Sequence, residues 1–338
     1  FVKLSSGNTV NAKLIIAANE CSNQRITVYD ESDLITNDFV YASDAITGRI
    51  SNPTGVLGIG DDLFFTDYQT NKLGFFNDFF TLRSSSVQTG LTGGFSISND
   101  NYFKANIKAQ YSDNVVFGDV YSMDSDGVKL VVADSSLNRV LIWNQMPIRN
   151  NQPPDLVLGQ DDLFSMSRNP APYNSTANIA TDPDGDGVFQ QNDNVRNLSS
   201  VGEPREVKIH GDKLLVSDVS NRRILIWNTW PTSNAQSADM FLGQGSDCNL
   251  DHTIQRPTGI EVINYKLVVA DPDRDRVLIW NTFPTRNNQK FDVAIGQVNT
   301  TTCATHSSAQ ADLVDYPQYL VTDNSNRLYI ADRNNDRI

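Results

Sequence analysis

Short apolar runs alternate with polar punctuation along the whole chain. Val, Ile and Leu cluster in runs of 4–6 residues bounded by Asp, Asn, Gly and Pro, which is a strand signal. No segment carries apolar positions at helical spacing over a window of about 11 residues. Three segments are near copies: KLVVADSSLNRVLIWN (129–144), KLLVSDVSNRRILIWN (213–228) and KLVVADPDRDRVLIWN (266–281). Three weaker copies share the frame: KLIIAANECSNQRITVYD (13–30), DLFFTDYQTNKLGFFND (62–78) and RLYIADRNNDRI (327–338). Upstream of each strong copy stands a Pro or Gly turn and a short apolar stretch, as in EPREVKI (203–209) and RPTGIEVI (256–263). Downstream comes a loop such as NTFPTRNNQ (281–289), then an apolar piece ending in Gly-Gln: DLVLGQ (155–160), DMFLGQ (239–244) and DVAIGQ (292–297). Each unit therefore predicts four strands, a to d.

Four antiparallel strands repeated about every 50–60 residues predict an all-β fold, a six-bladed β-propeller of four-stranded antiparallel blades. The blades are expected at about 1–43, 52–90, 118–160, 203–244, 256–297 and 316–338, as one domain over 1–338. Strands b and c are continuous apolar runs, as expected of strands buried on both faces between neighbouring blades. Trp143, Trp227 and Trp280 recur at one position of strand c and are expected in that inter-blade core. An Asp ends strand b and a basic residue starts strand c five positions later: Asp67 and Lys72, Asp134 and Arg139, Asp218 and Arg223, Asp271 and Arg276, Asp332 and Arg337. The first unit has Ala18-Asn19 instead. A short Asp side chain can accept turn N–H groups while the cation braces it. Such recurrence points to a structural role, since a catalytic group is needed once.

These residues resemble the NHL-repeat family: a Pro-Gly-type turn into strand a, a LYVAD-like strand b, an Asn-rich turn and an Arg-Val-type start to strand c. RLYIADRNNDRI (327–338) carries the pattern most fully. The Gly-Gln ending and the WN-x-x-PT-x-N-x-Q loop look like the bacterial secreted branch of that family. The resemblance covers essentially the whole chain. It implies the propeller fold and says little of activity, because propellers host unrelated functions.

The first unit is expected to own a strand a at 1–5, and the last to hold strand a (317–323), strand b and only the start of strand c. The last blade is thus incomplete. It is expected either to continue in a longer chain or to be completed by a strand from a partner polypeptide. The chain starts at Phe1, so any leader was removed or not included. Extra length lies at about 91–118 and 161–203. Both insertions are d-to-a connections, which emerge on the same face as the b-to-c turns, and long loops on rigid scaffolds concentrate binding function.

Composition narrows the partners. The 338 residues carry 27 Lys+Arg against 40 Asp+Glu, a net charge of −13. That balance lacks the cations nucleic-acid binding needs, and no basic block suits an anionic membrane surface. No apolar run approaches the ~20 residues of a bilayer span. Charged residues make up 20% of the chain, below the roughly 25% usual for soluble proteins, with Asn, Ser and Thr in their place.

The sharpest chemical motif is DPDGDGVFQQND (182–193). Asp182, Asp184 and Asp186 fall at positions 1, 3 and 5, with Gly187 at the turn. Val188 offers a carbonyl at 7, Gln190 a side chain at 9 and Asp193 a carboxylate at 12. This is calcium-loop spacing, with Asp replacing the usual final Glu. The alternative is an Asp/Gly-rich turn without metal. Of the three cysteines, Cys21, Cys248 and Cys303, the last two follow Gly-Gln ends in successive units and form the disulfide candidate; three free thiols are the alternative. His210, His252 and His306 occupy unequal positions and are expected at the solvated surface. Asn-x-Ser/Thr at Asn174, Asn197 and Asn299 is read as a product of Asn-rich composition. No nucleophile signature is present.

Together these residues predict a non-enzymatic exported module for binding or assembly, stabilised by calcium, that takes a protein or glycan partner on its loop-rich face. The alternative is a propeller enzyme, a lyase or hydrolase, with a metal site at the central channel.

Overall fold

The computed structural model describes residues 2–4, 13–18, 25–30, 44–46, 53–59, 62–67, 72–76, 117–147, 152–165, 198–243, 245, 247, 250–305, 310, 312–323 and 325–338. Among these residues the regular elements are strands and three single 3-10 turns. The protein is all-β, and apart from β1 (Val2–Leu4) the strands of each sheet follow one another in sequence. Cα packing divides it into two compact units, residues 1–132 with 143–154 and residues 133–142 with 155–338.

In the first unit, β2 (Lys13–Ala18), β3 (Arg25–Asp30) and β4 (Asp44–Ile46) form blade 1, an antiparallel sheet in that order. Blade 2 comprises β5 (Pro53–Ile59), β6 (Asp62–Asp67) and β7 (Lys72–Phe76). Its fourth strand is β1 (Val2–Leu4), which runs parallel to β5 with Val2 opposite Val56 and Leu4 opposite Gly58. This corrects the expectation that residues 1–5 supply strand a of blade 1. Three residues are too few for their own pattern to fix a partner, whereas the edge of β5 offers a row of main-chain groups. β8 (Val120–Ser125) also belongs to this unit and lies against β5. Thr54 Oγ1 donates to Val120 O at 2.8 Å. A Cβ on Gly55 would stand 3.0 Å from Tyr121 O, so the glycine at the start of β5 permits this close approach of two strands a.

Blade 3 is the sheet β11-β10-β9-β8, adding β9 (Leu130–Asp134), β10 (Arg139–Trp143) and β11 (Leu156–Leu158). Blade 4 runs β12 (Pro204–His210), β13 (Lys213–Asp218), β14 (Arg223–Trp227) and β15 (Met240–Gly243). Blade 5 runs β16 (Gly259–Ile263), β17 (Lys266–Asp271), β18 (Arg276–Trp280) and β19 (Val293–Ile295). Blade 6 shows β20 (Pro317–Thr322) and β21 (Leu328–Asp332).

The second unit explains why strands b and c read as unbroken apolar runs. Leu267 and Val269 of β17 pack with Leu215, Ile224 and Ile226 of blade 4. Their neighbours Val268 and Ala270 point the other way, onto Leu320 of blade 6. Both faces of one strand are thus buried, and alternation disappears. Each such Leu or Val contributes about 1.5–3 kcal/mol when fully buried. Trp143, Trp227 and Trp280 are buried as expected, and each indole Nε1 donates to the carbonyl nine residues on: Gln152 at 3.0 Å, Gln236 at 3.0 Å and Gln289 at 2.7 Å. That bond shapes the c-to-d loop. Within it Asn234 Oδ1 accepts Val157 N of β11 at 3.0 Å, and Asn287 Oδ1 accepts Phe241 N of β15 at 3.0 Å. The Asn of the repeated loop therefore stitches its own blade to the outer strand of the preceding one.

Candidate interaction face

The recurrent Asp and Arg form one bracket, repeated. Arg Nε donates to Asp Oδ2 at 2.9 Å in Asp134–Arg139, 2.8 Å in Asp218–Arg223, 3.0 Å in Asp271–Arg276 and 2.6 Å in Asp332–Arg337. The first three pairs are fully buried. Arg337 is 34% exposed. In blade 2, Asp67 faces Lys72 in strand register. The remaining valences tie down the connection into strand a. Asp218 Oδ1 accepts Gly202 N at 2.8 Å, Asp271 Oδ1 accepts Gln255 N and Arg256 N at 3.0 and 2.8 Å, and Asp332 Oδ1 accepts Asp315 N at 2.7 Å. Arg223 Nη2 reaches Ser200 O at 3.1 Å, and Arg276 Nη2 reaches Thr253 O at 2.9 Å. Charges taken this far from water persist only when paired and hydrogen-bonded; each buried Arg here is paired with its Asp, though Arg276 Nη1 itself has no hydrogen-bond partner among the described residues.

The Gly-Gln ending caps the same turn. Between the Asp and the Arg, one residue adopts positive φ: Asn138, Arg222, Asp275 and Asp336. A Cβ at Gly159, Gly243 or Gly296 would lie 2.8, 2.7 or 2.6 Å from the carbonyl oxygens of Asn138, Arg222 and Asp275 respectively, and all three glycines have positive φ. The next residue then donates: Gln160 Nε2 to Asn138 O at 3.0 Å, and Gln297 Nε2 to Arg274 O at 2.9 Å. In the second unit the ends of the d-to-a connections thus sit beside the b-to-c turns. Both ends of the 161–203 insertion meet there. Gly159 bridges Ser200, and Asn138 Oδ1 accepts Glu203 N at 3.1 Å.

On this framework lies a cluster that does not repeat. Glu203 (φ +55) receives the Arg205 guanidinium and accepts Ser220 Oγ at 3.1 Å. Burial works to raise the Glu203 carboxyl, but Arg205, the Ser220 hydroxyl and the Arg256 charge outweigh it and hold it below the usual carboxylate range. Arg256 Nη1 lies 3.7 Å from Asp273 Oδ1. Burial raises the Asp273 carboxyl, aided by the Asp271 and Asp275 charges and opposed by Arg256 and Arg205. The half-buried Glu203 and the exposed Asp273 are thus shifted in opposite directions, each beside its own guanidinium group. The frame explains why the sequence hid it. Blades 4 and 5 are 53 positions apart, from Asp218 to Asp271, so Glu203 aligns with Arg256 and Ser220 with Asp273. Columns where copies differ in charge were the available signal. The same offset aligns Lys208 with Glu261, and these two form a buried ion pair between β12 and β16.

Other expected sites stand as follows. The candidate calcium ligands Asp182, Asp184, Asp186, Val188, Gln190 and Asp193 lie outside the described residues. Cys303 is disulfide-bonded, while Cys21 and Cys248 lie outside the described residues, as does His306. His210 departs from the solvated expectation. It is half-buried and stacks on Phe283 with ring centroids 6.0 Å apart, because the blade-5 loop folds over the a-to-b turn of blade 4. His252 stands 3.6 Å from Asp251. Among the described residues, no group of three or more His, Cys, Asp or Glu is placed to hold a metal, and no helix is long and apolar enough to cross a membrane.

No protein-family model matches the chain, and no curated protein matches it. Among solved structures it is similar to a chain in a crystal structure of the mitotic checkpoint complex, at 12% identity and a TM-score of 0.46, covering 91% of this chain and 65% of that one. The chain therefore spans less than two thirds of that structure's length. It is also similar to a chain in a crystal structure of a nidogen/laminin complex, at 10% identity and a TM-score of 0.47, covering 95% of this chain and 86% of that one. Likenesses at this level carry no functional argument.

Proposed function

We propose that this chain is an exported, non-enzymatic binding module of the NHL type, a propeller of six blades, that takes a protein partner on the face formed by its b-to-c turns and d-to-a connections. The observation that carries the reading is the unrepeated cluster of Glu203, Arg205, Arg256 and Asp273 on an otherwise repeated framework. Its mixed signs suit a protein surface bearing both acidic and basic side chains, since complementary charges give specificity and register. A chain of net charge −13 that offers two guanidinium groups in one place has a local site for acidic partners. Cys303 in a disulfide fits an oxidising compartment, and Cys248 is our choice of partner for it.

The test is capture from the extracellular fraction of the source cells on immobilised protein. Wild type and Tyr265→Ala, altered at an exposed a-to-b turn, should retain the same partner, and Arg205→Glu/Arg256→Glu should lose it. Equal retention by all three contradicts the proposal, and a glycan as the sole retained species would replace the protein reading. We further propose that calcium binds residues 182–193 and orders the insertion. Calcium should then raise the melting temperature and a chelator lower it, and unchanged melting would remove the metal from the account.

A further inference from the structure

The d-to-a connection of blade 5 presents an asparagine in acceptor form. Asn299-Thr300-Thr301 satisfies the Asn-x-Ser/Thr rule, and composition alone yields such triplets without any geometry. Here the geometry is specific. Asn299 is exposed, and its neighbour Val298 is 94% exposed. Asn299 Oδ1 accepts both the Thr301 N–H and the Thr301 hydroxyl, each at 2.9 Å. Thr302 closes the turn by donating its hydroxyl to Asn299 O at 3.0 Å. Among the described residues nothing engages the Asn299 Nδ2. The loop is fixed at its base, where Gln297 exchanges hydrogen bonds with Ala304 at 2.8 and 2.9 Å, and Cys303 is held in a disulfide. The carboxamide therefore stands on an anchored turn with its oxygen occupied and its nitrogen outward.

We infer that Asn299 is an N-glycosylation site, and the inference rests on the export reading above. The co-reactant is a sugar carried on a lipid pyrophosphate, transferred by a membrane-bound glycosyltransferase. Nδ2 attacks the anomeric carbon, the N–C bond forms, and the bond from that carbon to the pyrophosphate oxygen breaks. The pyrophosphate leaves with the electron pair, the Nδ2 proton passes to a base of the transferase, and no oxidation state changes. The Thr301 hydroxyl on Oδ1 polarises the amide and orients Nδ2. Through Gln297, bonded to Arg274 O and Asp275 O, the glycan sits beside the blade-5 turn that carries Asp273, at the rim of the proposed interaction face.

The experiment is glycopeptide mapping of protein purified from the source cells, with its location and the Cys303 redox state recorded in the same sample. The tryptic peptide 291–327 contains one such triplet. It should carry a glycan at Asn299 that a peptide N-glycosidase removes, leaving Asp. Asn299→Gln and Thr301→Ala should abolish it, and Thr301→Ser should keep it. Unmodified Asn299 in exported protein with Cys303 oxidised overturns this inference alone. Unmodified Asn299 in cytosolic protein with Cys303 reduced overturns it together with the export reading.

Discussion

The Asp271–Arg276 bracket and the Glu203–Arg205–Arg256–Asp273 cluster are built from the same residue types, yet they do opposite things. The bracket recurs in four described blades, is dry in three, and spends its hydrogen bonds on the chain's own turns. The cluster occurs once and is half-exposed, and its carboxylates are shifted in opposite directions. Recurrence with full burial marks framework, and singularity with partial exposure marks the surface proposed above to take a partner.

The largest effect should come from breaking a buried bracket. Asp271→Ala leaves the Arg276 guanidinium dry and uncompensated, with an expected loss of about 3–5 kcal/mol in denaturant unfolding. Asp332→Ala should cost clearly less, because Arg337 reaches solvent. Equal losses would dissolve the distinction between dry and wet brackets. Next comes Gly243→Ala, where φ is +98° and the new Cβ would lie 2.7 Å from Arg222 O. A cost of roughly 1–3 kcal/mol is expected, and a neutral result would mean the turn can move aside. Asn287→Ala removes the acceptor from Phe241 N and should cost about 1 kcal/mol, read by thermal melting and by faster amide exchange at Phe241.

The smallest effect sharpens the cluster's side of the comparison. Asp273 has a folded pKa raised by burial, so folding favours its protonated form. Its contribution is present at low pH and is lost as pH rises from the ordinary carboxylate value through the raised one. Glu203 has a depressed folded pKa, so its contribution is present above the ordinary value and is lost as pH falls through the depressed one. Asp273→Asn should therefore remove the gain in stability on mild acidification and leave the loss at lower pH intact. A stability profile identical to wild type would refute the assignment.

The sequence made the framework legible because its causes are local. Unbroken Val/Ile/Leu runs follow from burial on both faces, and Asp-x4-Arg spacing follows from one tight turn. Gly-Gln was visible as a motif, but its cause was not, because the contact joins Gly243 to Arg222 across a strand pair. The pairing of β1 with β5 was invisible for want of pattern in Val2–Leu4. The cluster was invisible because each of its charges is ordinary by itself. Only the offset between blades 4 and 5 brings Glu203 near Arg256 and Lys208 onto Glu261.

A pair of double-mutant cycles in urea tests the central distinction most directly, one for Asp271 with Arg276 and one for Glu203 with Arg205. The expected coupling is about 2–3 kcal/mol for the buried pair and below about 1 kcal/mol for the half-exposed one. Couplings of equal size, or a larger one at Glu203–Arg205, would contradict the division of this protein into repeated framework and proposed interaction face.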